Sequence, residues 1–135
     1  MSESVADAVA RRLEEVEVRL SDAVSHTDDL ADSVSRHLVE AGGKRFRPLL
    51  TLLAAELGDG ADERVVAAAA GVELTHLASL YHDDVMDEAA VRRGAPSANS
   101  RYTNTVAIGV AATLVLGVFP QPFLDLAGAI TTAAP

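Results

Sequence analysis

Apolar positions near the start of the chain recur at helical spacing. Val5, Val9, Leu13, Val16, Leu20 and Val24 follow one another every three or four residues, while Glu14, Glu15 and Glu17 fall off that line. This period lays one apolar stripe along an amphipathic helix, and Ser4 with Asp7 is suited to cap its start. A second helical run covers about Asp29 to Ala41 and stops at Gly42-Gly43, where the backbone can take positive φ at little cost. After the loop GGKRFRP, Pro48 suits the first turn of a third helix, Leu49 to Leu57. Its apolar residues ring it almost completely, which predicts a central position. Gly58-Asp59-Gly60 ends that helix, and Asp62 caps a longer fourth one over roughly Glu63 to Glu88. Arg92-Arg93-Gly94-Ala95-Pro96 breaks the chain again. With no strand alternation, hairpin dipeptide or internal repeat, the fold class is all-α.

The last quarter of the chain has a different character. Beyond Arg101 the only charged residue is Asp125, and Thr105 to Phe119 is an uncharged run of 15 residues that ends at Pro120-Gln-Pro122. A bilayer span needs about 20 apolar residues. A buried core helix, a short membrane segment and an unfolded tail are therefore the alternatives for this run. The start, MSESVADAVARRLEEVE, lacks a basic stretch followed by an apolar one, so no signal peptide is expected. At 135 residues the chain fits one small domain or a piece of a larger one, and 49% apolar residues suffice for a packed core. The absence of cysteine excludes disulfide and thiol chemistry. A net charge of -9 leaves no basic stripe for a nucleic-acid backbone. The expected location is the cytoplasm, with residues 105 to 119 as the one potential membrane contact.

Chemistry concentrates in the run HDDVMDE at the end of the fourth helix. Residues four apart share a helix face, so Asp83 and Asp87 project side by side, and Asp84 is turned by about 100°. Like charges at this spacing repel, and a helix C-terminus disfavours them further. The bland reading is a solvated acidic face. The sharper one is a Mg²⁺ site, since Mg²⁺ takes one or two carboxylates and shares the rest of its shell with water and phosphate. A basic set brackets the acids: Lys44, Arg45 and Arg47 follow the double glycine, and Arg92 with Arg93 follow the acidic turn. Alone, each group reads as surface salt bridges; together they suit two phosphorylated ligands, one on metal and one on cations. His76 lies seven residues before Asp83, almost on the same face. Small residues at Thr75, Ala78 and Ser79 leave room below the acids for an apolar tail.

GGKRFRP at 42 to 48 and VELTHLASLYHDDVMDEAAVRRGAPSAN at 72 to 99 closely resemble the polyprenyl synthetase family, the trans-isoprenyl diphosphate synthases. The resemblance covers roughly residues 5 to 106 and includes DDVMD as the first aspartate-rich motif. It implies the N-terminal helices of the isoprenoid synthase bundle, usually in a homodimer, and a transferase that elongates an allylic diphosphate with isopentenyl diphosphate. By the same resemblance, Asp83 and Asp87 hold Mg²⁺ on the allylic diphosphate and Asp84 supports that cluster. Arg92 helps draw off the leaving group, while Lys44, Arg47, His76 and Arg93 bind isopentenyl diphosphate. Ala78 and Ser79, where short-chain members often carry aromatic rings, imply a medium or long product.

The departures are as specific. Members of the family are more than twice this length, and a second aspartate-rich motif belongs to the part not represented here. Residues 1 to 105 read as the N-terminal part of the family domain, and residues 106 to 135 as an apolar tail outside its pattern. VAATLVLGVFPQPFLDLA within that tail resembles, more faintly, the end of a membrane subunit of NADH-quinone oxidoreductase. With half a metal site, the chain alone is expected to be inactive. The alternatives to an enzyme portion are a non-catalytic partner subunit of a full-length synthase and a degenerate fragment.

Overall fold

A computed structural model describes residues 4–25 and 29–118. The last 17 residues of the apolar tail lie outside the described residues. Among the described residues, six helices and one minimal hairpin follow in the order α1 (Val5–Ala23), α2 (Asp29–Glu40), α3 (Phe46–Ala55), α4 (Glu63–Met86), β1 (Val91–Arg92), β2 (Ala95–Pro96), α5 (Ala98–Arg101) and α6 (Asn104–Val118).

The first helix forms as its pattern predicts. The Ser4 hydroxyl accepts the Asp7 backbone N–H at 3.2 Å, and Val9, Val16, Leu20 and the following Val24 are buried. Val5, on the same line, is exposed at the frayed first turn. The long α4 is capped by Asp62, whose carboxylate accepts from Arg64 and Val65 N–H at 2.9 and 3.0 Å. It runs through the middle of the fold, packing on α1, α3 and α6, and buries Val66, Ala69, Leu74, Leu77 and Tyr81. Its run of alanines brings neighbouring helices close.

Two expectations change, and the alternatives for the uncharged run narrow. The third helix starts earlier, at Phe46, and is not central: Pro48 and Leu52 are buried, while Leu50, Leu53 and Leu57 are exposed. A helix apolar on all sides still buries only the side that a neighbour covers. The break after α4 is a two-stranded antiparallel hairpin, with Val91 opposite Pro96 and Arg92 opposite Ala95. Arg93 and Gly94 form its turn at φ 53° and 79°, the two positive values of a type I′ turn. Finally, the uncharged run is a helix, α6, that buries Ala107, Ala111 and Leu114 and packs mainly on α4. At about 1.5 Å per residue its 15 residues reach roughly 22 Å. Among the described residues, no helix is long and apolar enough to cross a membrane.

Candidate functional site

The carboxylate turn closes α4. Asp87 is the C-cap, and its N–H bonds the Asp83 carbonyl at 2.8 Å. Asp83 and Asp87 are exposed. Asp84, turned to the other side of the helix, is completely buried, and its Oδ1 accepts Nε and Nη2 of Arg92 at 2.7 and 2.5 Å. Its Oδ2 is buried without a partner. This hydrogen bond, with the nearby charges of Asp83 and Asp87, holds the Arg92 guanidinium above its ordinary pKa. Strand β1 therefore delivers Arg92 to the acidic turn, and Asp84 fixes it there.

The basic loop divides into inward and outward members. Arg45, at φ 48° before α3, turns into the core, where it bonds Glu17 at 2.5 Å, Glu73 at 3.2 Å and the Val39 carbonyl at 3.1 Å. It is a structural ion pair rather than part of a phosphate cluster. Lys44 and Arg47 remain exposed. Arg93 reaches back from the hairpin and donates to the carbonyls of Gly42 and Leu38, capping the C-terminal end of α2 as a cation should. Its guanidinium lies so close to Gly43 that a Cβ there would stand 2.8 Å from Nη1 and would displace the guanidinium from this seat. Burial holds the pKa of Arg93 below the usual guanidinium range.

His76 is half-buried on α4. Burial lowers its pKa, as do the cations Arg47 and Arg93, against the opposing pull of Glu73 and Asp83. Arg47, Arg93, Glu73 and Asp83 thus all act electrostatically on His76. An anion placed among them would draw a proton onto His76. Arg47, Thr75, His76 and Ser79 line a depression of about 390 Å³. A second, apolar groove of about 590 Å³ runs between α4 and α6, lined by Thr75, Ala78, Ser79 and Asp83 on one side and by Ile108, Ala111 and Leu116 on the other. Thr75 and Ser79 are common to both, so a hollow edged by Arg47 and His76 and an apolar groove adjoin across one helix turn.

Sequence reasoning missed His82, which lines the groove beside Asp83, and the pairing of Asp84 with Arg92. The helical wheel carries the signal for the second, since it turns Asp84 away from its neighbours. Among the described residues, no three His, Cys, Asp or Glu side chains come together as a metal cage. Two exposed carboxylates one turn apart suit Mg²⁺ that completes its shell with water and phosphate.

The sequence profile of the polyprenyl synthetase family matches residues 28–121, a span that runs through α6. The nonaprenyl diphosphate synthase of Mycobacterium tuberculosis is 50% identical over 104 residues, which are 76% of this chain and 31% of that protein. Component 2 of the heptaprenyl diphosphate synthase of Geobacillus stearothermophilus is 43% identical over 93 residues, 69% of this chain and 29% of that protein. The polyprenyl synthase of Caulobacter crescentus CB15, crystallised with calcium and isoprenyl diphosphate, superposes with a TM-score of 0.77 at 32% identity, over 89% of this chain and 38% of that one. The chain spans about a third of the length of the relatives it matches.

Proposed function

This chain belongs to the polyprenyl synthetase family, and on that premise we propose that it is the diphosphate-binding N-terminal part of a transferase that joins an allylic diphosphate to isopentenyl diphosphate. The observation that carries the reading is the adjacency of the two hollows along α4, one edged by Arg47 and His76 and one apolar, with Asp83 at the edge of the apolar one.

Lys44, Arg47 and His76 hold the diphosphate of isopentenyl diphosphate; point charge, planar fork and imidazole supply complementary donors. Arg93 adds charge behind them. The groove between α4 and α6 takes the apolar tail of the allylic partner, and Asp83 and Asp87 face its diphosphate. These two carboxylates would hold Mg²⁺, which would neutralise charge on the leaving group. Arg92, fixed by Asp84, adds a second cation at the same end. In the reaction the allylic carbon–oxygen bond breaks, the isopentenyl double bond supplies the electron pair for the new carbon–carbon bond, and a proton is lost to the departing diphosphate. The chain's residues bind and orient in this scheme; the carboxylates that would face Asp83 and Asp87 across the cavity belong to a part of the family fold not found here.

The isolated chain is therefore expected to bind isopentenyl diphosphate and to show negligible turnover. Titration calorimetry without product formation is the anticipated result. Magnesium-dependent elongation of geranyl or farnesyl diphosphate by the pure chain would overturn the incompleteness of the site, and no binding at millimolar isopentenyl diphosphate would sink the reading itself.

Groove depth gives a second test. Ala112, exposed on α6, lines the groove and not the hollow beside it, so Ala112→Phe is expected to weaken farnesyl diphosphate about tenfold, roughly 1.4 kcal/mol, while isopentenyl diphosphate loses less than threefold. Equal losses for both ligands would show that the groove does not hold the tail.

A second reading, a partner subunit that completes its site with another chain, draws support from a relative named as one component of a synthase.

A further inference from the structure

The largest fully buried side chain of the described residues is Tyr81, two positions before the carboxylate turn. Its hydroxyl donates to the Val34 carbonyl and accepts the Leu38 N–H at 3.4 Å, so it grips both ends of one turn of α2. Burial pushes its pKa up to about 12, and the phenol keeps its proton as a donor. The same Leu38 offers its carbonyl to Arg93 at 3.4 Å. Neighbouring His37 bonds the Pro96 carbonyl at 2.6 Å. The last turn of α2 is thus tied to α4 by Tyr81 and to the hairpin by Arg93 and His37. Otherwise α2 packs chiefly on α6, α1 and α5.

The Gly42–Arg47 loop leaves directly from this turn. Its two glycines have positive φ and give its first part little stiffness of its own, so that part inherits its position from Leu38 and from the Arg93 cap, while Arg45 anchors the far end to Glu73 of α4. The carboxylates, by contrast, stand at the end of α4 within two turns of Tyr81. We propose that Tyr81 is a positioning residue that sets the span between the Asp83–Asp87 turn and the Gly42–Arg47 loop, by holding the last turn of α2 against α4. The inference rests on the reading of those two segments as the halves of one diphosphate-binding site; the tether itself is independent of it.

Tyr81→Phe in the full chain removes the hydroxyl and keeps the ring in its buried seat. Two readouts separate positioning from general stability. In hydrogen exchange, the amides of Leu38, Ala41 and Gly42 are expected to open at least tenfold faster, while those of Val16 and Leu20 in α1 change less than twofold. In calorimetry without metal, the affinity for isopentenyl diphosphate is expected to fall about fivefold. Uniform acceleration across α1 and α2 would reduce Tyr81 to a core residue and overturn the inference, as would unchanged exchange at Leu38. A wild-type chain that fails to bind isopentenyl diphosphate, with local exchange at α2 still accelerated in the variant, would sink the functional reading and uphold the tether.

Discussion

Arg45→Met is expected to destabilise the fold by about 3–5 kcal/mol, the cost of leaving one member of a buried ion pair without its partner. Arg45 and Glu73 have side-chain exposures of 7% and 3%, so water cannot replace the lost contact. Glu73 would be left buried without its cation, and the Val39 carbonyl would lose a donor. Glu17 matters less, because at 44% exposure it can turn to solvent. For a domain whose total stability is commonly about 5–15 kcal/mol, this change is enough to populate the unfolded state. The double variant Arg45→Met, Glu73→Leu is expected to recover most of the loss, since apolar residues of similar size often replace a buried pair without penalty. Urea unfolding of the wild type, both single variants and the double variant closes the cycle. Additive losses would show that the pair is not coupled and that Arg45 stabilises the loop in some other way.

Arg45 also marks a limit of what sequence can tell. Between Lys44 and Arg47 it is one basic residue among three, and nothing local distinguishes it. What does so is Glu73, 28 positions away and one helix over, a partner that only the packing of α3 on α4 brings near. Local signals served better where the chemistry is local. The Ser4 and Asp62 caps and the spacing of Val9, Val16 and Leu20 were readable because a cap and its N–H groups lie within three residues of each other. The placing of Asp84 apart from Asp83 and Asp87 was likewise geometry of one helix. The hairpin escaped because its turn puts Arg93, not glycine or asparagine, at the first positive φ; the Arg93 guanidinium's contact with the end of α2 accompanies that unusual choice. The centrality assigned to α3 failed for the opposite reason. Composition gives the apolar faces of a helix, and only neighbours decide which face is covered.

Asp83→Ala is expected to abolish the magnesium-dependent part of diphosphate binding, a loss of at least tenfold, and to leave the fold intact. The argument runs through the other two carboxylates. Asp87 alone gives Mg²⁺ a single protein ligand at a helix C-terminus, and Asp84 cannot step in, because it is buried and already engaged by Arg92. Stability should not suffer: Asp83 is exposed, lies one turn from Asp87 and sits at the negative end of the helix dipole, so its removal relieves repulsion worth a few tenths of a kcal/mol. Asp84→Asn is the informative contrast. It should leave magnesium dependence in place, because Asp83 and Asp87 are untouched, while loosening Arg92 and weakening diphosphate binding with or without metal. Calorimetry of inorganic diphosphate at varied Mg²⁺ reads both variants directly. If Asp84→Asn removed the magnesium dependence and Asp83→Ala spared it, the metal would belong on the buried side of α4, and the assignment of Asp83 and Asp87 to the ligand-facing side would be wrong.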